Sequence, residues 1–349
     1  MSTGHEFRPG LEFDVPALEQ YLGANLAGFS APLRVRQFPG GQSNPTYRLD
    51  TPSASYVLRR KPPGQLLPSA HAIEREYRVM LALANHTQFP VGQPLLLCEE
   101  PHVIGTAFYV MEHVEGRIFW DPTLPELSRE ARRPLFVAMA ETLADLHSVD
   151  YVSIGLADFG KPEGYVARQL ARWSKQYTVD ASVAGRVDEM ERLIDWLARN
   201  APAREQPPAL LHGDYRLDNM IFDAQAPRVR AVLDWELSTV GDPLADFAYH
   251  LMVYRIASGG VRGLGGVDLA ATGLPSEAEY VQIYCRRRGL SELPDLHYYI
   301  AYCLFRLAAI CHGIAGRVQR GTAVSPQAKL YAAQVGPLAE LGWRTAQGD

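Results

Sequence analysis

The chain has 349 residues, with 34 Lys and Arg against 39 Asp and Glu and a formal charge of −5; 47% of its residues are hydrophobic and 21% charged. That balance describes a globular chain with material for one large or two ordinary domains, and it argues against a polyanionic partner such as nucleic acid. Four cysteines (Cys98, Cys285, Cys303 and Cys311) make no C-x-x-C pair and no zinc spacing with histidine, so they read as small buried hydrophobes of a reducing compartment.

The N-terminus, MSTGHEFRPG, lacks the basic-then-apolar architecture of a signal peptide, and a cytoplasmic location is the expectation. Val15, Leu18, Leu22 and Leu26 then recur at helical spacing, with Asp14 as N-cap and Pro16 in the first turn. The runs LRVRQF, TYRLD and SYVLRR read as strands. Between the first two lies PGGQSN, where Gly40, Gly41, Ser43 and Asn44 offer either a phosphate-cradling loop of bare backbone N–H groups or a plain hairpin turn. The third strand ends in Arg59, Arg60 and Lys61. Alternation sends Arg59 and Arg60 to opposite faces. Ala70 to Ala84 forms an amphipathic helix carrying Glu74 and Glu76, and a second hairpin, PLLLCEE to AFYVMEHVEG, follows.

After Gly116 the period changes from strand to helix. Helices are expected over Ser128–His147, Glu163–Tyr177, Arg186–Asn200, Pro243–Ala257, Ser276–Arg288, Leu296–Gly316 and Ser325–Leu341. The fold class is therefore α+β, with a small β-rich part over residues 1–115 and a larger, mainly helical part over 116–349. A nucleotide would belong in the crevice between them. The apolar run Tyr298–Ile314 carries Arg306 and His312, which give it a polar side and argue against a bilayer span. The glycine-rich Ser258–Asp268 segment reads as a lid or a simple insert.

Among these helices lies LHGDYRLDNMIFD, then VRAVLDWELS and GDPLADF. Asp214 precedes Asn219 by five residues, and Asp234 follows fifteen later at the end of a β-type run. Phosphoryl transfer needs one carboxylate to orient and deprotonate a hydroxyl, and further oxygen ligands to hold metal on the phosphates. The hairpin MIFD–VRAVLD brings Asn219 at its start and Asp234 at its end, which suits two ligands of a metal. Taken singly, each of the three residues could be a helix cap or a turn residue.

With Gly213 where protein kinases carry Arg, and DWE where they carry DFG, the stretch resembles the aminoglycoside-phosphotransferase-like small-molecule kinases. LDWELSTVGDPLADFAY is similar to the phosphotransferase domain of acyl-CoA dehydrogenase family members 10 and 11. The resemblance implies a two-lobed, protein-kinase-like fold and a phosphotransferase with an alcohol acceptor that uses ATP and Mg²⁺. It implies Asp214 as catalytic base, Asn219 and Asp234 as metal ligands, and Arg59 as the phosphate clamp, with Arg60 or Lys61 in that role after a one-residue slip. Glu76 would partner the clamp, with Glu74 as second choice, and the Glu112 carbonyl and Val114 N–H would meet an adenine edge. Asp242 and Asp246 would brace the catalytic loop, with Arg216 paired to one of them. Arg168, Trp173 and Tyr177 become substrate-side candidates.

The branch implies hydroxylated fatty acids or their CoA thioesters as acceptors. An arginine excess over residues 250–320 agrees with that sign better than with polycationic aminoglycosides. Two alternatives stand beside this reading: an aminoglycoside or amino-alcohol kinase, and a non-catalytic nucleotide-binding protein of the same fold.

Overall fold

The computed structural model describes residues 6–38, 44–64, 72–259, 263–323 and 325–348. The chain divides into two units, one of Met1–Arg117, Ile221–Ala224 and Val229–Ser238, the other of Ile118–Met220, Gln225–Arg228 and Thr239–Asp349.

The first unit opens with helix α1 (Val15–Asn25). Asp14 caps it by accepting from the Ala17 N–H at 3.0 Å, which satisfies one of the four free N–H groups of the first turn. Strands β1 (Arg34–Gln37), β2 (Thr46–Asp50) and β3 (Ser55–Arg60) precede helix α2 (Ile73–His86), and β4 (Pro94–Cys98) and β5 (Phe108–Glu112) complete an antiparallel sheet of order β1-β2-β3-β5-β4. Leu18, Leu22, Val35, Tyr47, Leu49, Leu58, Phe108 and Val110 form one continuous core. α2 packs on β4 and β5 and buries Glu76, Val79, Met80 and Leu83.

The hairpin of β7 (Met220–Phe222) and β8 (Val229–Val232) returns to this unit, which the linear division at 115/116 does not anticipate. Its anchors are backbone bonds. Arg117 and Phe222 exchange two at 2.8 Å, and the Val232 N–H reaches the Pro90 carbonyl at 2.9 Å. Gly116 permits this approach, since a Cβ there would lie 2.3 Å from the Phe222 carbonyl oxygen. The Trp235 ring meets Phe89 edge to face at 5.7 Å.

The second unit contains α3 (Arg129–His147), α4 (Tyr165–Ala184), α5 (Asp188–Arg199), β6 (Ala209–Leu211), β9 (Thr239–Gly241), α6 (Pro243–Leu251), α7 (Leu269–Thr272), α8 (Glu277–Arg288), α9 (Leu296–Gln319), α10 (Pro326–Ala332) and α11 (Val335–Gln347). β6 pairs with β9, and α4, α5, α6, α10 and α11 all pack on α9.

Two expectations change here. Ser325–Leu341 is two helices, because the Pro337 ring would collide with the carbonyl of residue 333 in a continuous one. α9 is long and apolar enough to cross a bilayer, yet 83% of its most apolar window is buried in the protein. Arg306 and His312, expected on its polar side, are both buried. In the glycine-rich Ser258–Asp268 segment, the described part is pinned by the Ser258 N–H on the Gly265 carbonyl at 3.0 Å.

Candidate active site

In the sheet unit, β3 alternation separates the basic run. Arg60 points into the core, where it donates to the Leu11 and Ile104 carbonyls at 2.9 and 3.1 Å and stacks over Phe13 at 5.1 Å. Lys61 pairs with Glu74. Arg59 takes the other direction: its Nε lies 2.9 Å from Glu76 Oε2, and its Nη2 lies 2.7 Å from Asp234 Oδ1 and 3.3 Å from Glu236 Oε2. One guanidinium thus faces three carboxylates, which leaves a local excess of negative charge suited to a cation.

Burial is the largest influence on Glu76 and pushes its carboxyl up to about 7. Asp234 and Glu236 add to the rise, and Arg59 and the Tyr109 hydroxyl oppose it. Asp234 has left-handed backbone (φ 67°), a strain of about 1–2 kcal/mol for a residue with a Cβ. Its carboxylate is about one-third exposed, and its Oδ2 has no partner among the described residues.

In the helical unit, Asp214 follows a glycine whose φ of 85° favours a residue without Cβ. Asn219 sits in the short 3-10 turn Leu217–Asn219. Its Nδ2 donates to the Asp214 carbonyl at 2.9 Å and to Asp214 Oδ2 at 3.2 Å, which leaves Oδ1, the atom a hard cation would take, unpartnered among the described residues. Arg216 Nε lies 3.2 Å from Asp214 Oδ1, and the Tyr249 hydroxyl also bonds this carboxylate.

The loop is clamped from beneath. Asp246 accepts from the His212 and Gly213 N–H groups at 2.7 and 2.8 Å, and His147 Nε2 lies 3.3 Å away while His147 Nδ1 meets the Tyr284 hydroxyl at 2.7 Å. Burial works against the Asp246 charge, but the His147 bond, attraction to His147 and His212, and the His212 amide hold its carboxyl below the ordinary range. A depressed carboxyl contributes stability above its unfolded value and loses it as pH falls through its folded value. Asp246→Asn is therefore expected to cost about 2–4 kcal/mol near pH 7, through lost charge-assisted bonds. Urea unfolding at about pH 7 and about pH 2.5 checks this, because the gap to wild type should narrow only once pH falls below the ordinary Asp value. A gap that is constant with pH would mean that Asp246 is not ionised in its clamp.

Several expectations are relocated. Arg216 pairs with Asp214 and Asp218 rather than with Asp242 or Asp246. Asp242 caps α6 through the Leu244 N–H and accepts from the Tyr299 hydroxyl at 2.6 Å. Asn44 is fully buried and its Nδ2 holds Glu76 Oε1 at 2.8 Å, so its side chain supports the Arg59–Glu76 pair. Gly40, Gly41 and Ser43 lie outside the described residues. Tyr177 is buried and bonds Glu191 and the Val187 backbone, a packing role; Arg168 is exposed, and Trp173 is half-buried under Arg172 and Arg306. Glu112 ends β5, and the Val114 N–H beyond it makes no hydrogen bond among the described residues.

Two residues escaped the sequence reading. Glu236 could have been found from its place two residues after Asp234, whereas Tyr249 carried no local signal.

An apolar cavity opens beside Asp214, lined by Trp120, Phe136, Met139, Met252 and Leu307 with Arg216 and Tyr249. Among the described residues, no arginine of residues 250–320 lines it. Arg255 forms a forked pair with Glu277 and Arg287 one with Asp145, while Arg288 binds the His147 carbonyl.

A family model described as the phosphotransferase enzyme family matches residues 34–293. Acyl-CoA dehydrogenase family member 11 of Rattus norvegicus is 45% identical over 347 residues, covering 97% of this chain and 44% of that protein. The chain thus spans less than half the length of this curated relative. The crystal structure of a candidate aminoglycoside phosphotransferase from Ralstonia eutropha is 46% identical with a TM-score of 0.89, covering 97% of this chain and 99% of that one. A thermostable mutant of aminoglycoside phosphotransferase APH(4)-Ia, in ternary complex with AMP-PNP and hygromycin B, has a TM-score of 0.60 at 18% identity, covering 95% of this chain and 100% of that one, a likeness of fold alone. The chain belongs to the phosphotransferase enzyme family, with the kinase-like fold of the aminoglycoside phosphotransferases.

Proposed function

We propose that this chain is an ATP- and Mg²⁺-dependent O-kinase of small molecules. The observation that carries the reading is the held carboxylate of Asp214, positioned by Asn219, Arg216 and Tyr249 on a loop clamped by Asp246. Asp214 would orient the acceptor hydroxyl and take up its proton. Asn219 Oδ1 and the Asp234 carboxylate are hard oxygen donors of the kind Mg²⁺ takes, and both keep an unpartnered oxygen among the described residues. Arg59, oriented by Glu76, would bind phosphate oxygens, and its planar fork can do so bidentately. Glu112 and Val114 would meet the adenine edge. Bound Mg-ATP supplies the phosphoryl group and the metal charge that offsets its build-up of negative charge.

For the acceptor, the cavity beside Asp214 favours an alcohol with an apolar body. Its one carboxylate, Asp218, is paired with Arg216, so it lacks the clustered acids that a polycationic aminoglycoside calls for. The relatives are named as acyl-CoA dehydrogenase family members, which supports a hydroxy fatty acid or hydroxyacyl-CoA. An acceptor screen scored by ADP release tests this across hydroxy acids, hydroxyacyl-CoAs, amino alcohols and aminoglycosides. Stimulation by the apolar acyl alcohols is expected. Stimulation by aminoglycosides alone would overturn the acceptor class, and no ADP release with any acceptor would overturn the O-kinase reading.

A further inference from the structure

Arg306 lies at mid-length of α9, the helix around which the second unit packs. It is 9% exposed, and no carboxylate pairs with it among the described residues. A buried cation without a counter-ion costs several kcal/mol unless other groups satisfy it. Its partners are the Gly213 carbonyl, which accepts from Nη2 at 3.0 Å, and two aromatic faces, Tyr249 at 4.6 Å and Trp173 at 5.8 Å. The first of these groups is the peptide that leads directly into Asp214. The second is the ring whose hydroxyl bonds the Asp214 carboxylate. One guanidinium therefore holds Asp214 from two directions, through the preceding carbonyl and through the orientation of Tyr249.

We propose that Arg306 is a positioning residue for the phosphoryl-transfer step, acting through Gly213 and Tyr249 to set the aim of the Asp214 carboxylate. The proposal rests on the O-kinase reading of Asp214. Gly213 has its N–H on Asp246 and its carbonyl on Arg306, so the residue is fixed through both of its flanking peptides, and only the Arg306 side also reaches the carboxylate. A reactive group displaced by about 1 Å loses on the order of 10²-fold in rate without any change in the groups present.

The test combines turnover with a spectroscopic signature independent of it. Labelling with Gly ¹³C-carbonyl and Asp ¹⁵N selects Gly-Asp peptides, which occur at Gly213-Asp214, Gly241-Asp242 and Gly348-Asp349. The Asp214 signal is identified by its loss in Asp214→Asn. With the acceptor that gives the strongest ADP release in the screen above, Arg306→Met is expected to displace this signal and to slow single-turnover ADP formation from Mg-ATP by about 10²-fold with Mg-ATP affinity unchanged. Arg306→Lys should recover part of both. Should Arg306→Met not fold, Arg306→Gln replaces it, with a smaller displacement expected. An unmoved signal with unchanged turnover overturns the proposal, as does an Arg306→Lys variant no better than Arg306→Met, which would assign the arginine to packing. Absence of ADP formation by the wild type would overturn the O-kinase reading instead, and the Asp214 signal still decides whether Arg306 holds the Gly213 peptide.

Discussion

Asp214→Ala is expected to slow phosphoryl transfer by about 10²–10⁴-fold, about 3–5 kcal/mol of barrier, while leaving Mg-ATP affinity nearly intact. Phosphoryl transfer has a loose transition state, so much of that effect comes from orienting the hydroxyl rather than from removing its proton. The fold should tolerate the change, because Arg216 keeps Asp218 at 3.5 Å and Asn219 keeps its bond to the backbone carbonyl of residue 214. A simple loop cap would behave differently, losing about 0.5–2 kcal/mol of stability with a proportionate loss of every activity. Single-turnover rate, Mg-ATP affinity and melting temperature on one preparation separate the two. A stable Asp214→Ala protein that transfers phosphate at wild-type rate would remove Asp214 from the chemistry.

The second large effect is at Arg59. Arg59→Met strips the counter-charge from Glu76, which is 1% exposed, and breaking one side of a buried pair costs about 3–5 kcal/mol. The cost should depend on pH in a definite direction. The Glu76 carboxyl is raised to about 7 in the folded protein, above its unfolded value, so its contribution is full below the ordinary carboxylate range and declines as pH rises towards the folded value. Without Arg59 the carboxyl rises further, so the variant should lose least near about pH 5, where Glu76 is protonated in both proteins, and most near about pH 8. Adding Glu76→Gln removes the orphaned charge and should restore stability at the higher pH. Mg-ATP affinity should stay lost in that double variant, since nothing replaces the guanidinium. Denaturant unfolding and calorimetric titration of Mg-ATP check the two halves. Full nucleotide affinity in the double variant would take the clamp away from Arg59. Arg60, on the opposite face with carbonyl and aromatic partners, should affect stability and leave nucleotide affinity unchanged.

What the sequence determined by itself was local in its physics. A cap such as Asp14 acts three residues away, strand alternation separates Arg59 from Arg60 by a fixed geometry, and the five-residue step from Asp214 to Asn219 spans a single turn. Residue type, period and spacing suffice for interactions of that range, which is why the helices, the strands and the Asp214–Asn219 pair were legible along the chain. The proline break before α11 was equally local and available from Pro337.

Tertiary structure alone decided the partners of charges that are distant in sequence. Arg59 meets Glu236 across 177 residues, Asn44 meets Glu76 across 32, and Arg306 meets Gly213 across 93. No periodicity encodes such pairings, because each depends on where separate elements pack and on which buried polar atom lacks a nearer partner. The arginines of residues 250–320 show the same limit. Counted along the chain they favoured an anionic or neutral acceptor, but folding pairs Arg255 with Glu277, Arg287 with Asp145 and Arg306 with a carbonyl. Formal charge is a property of composition, whereas the charge a ligand meets is set by desolvation and pairing, which exist only once the chain has folded.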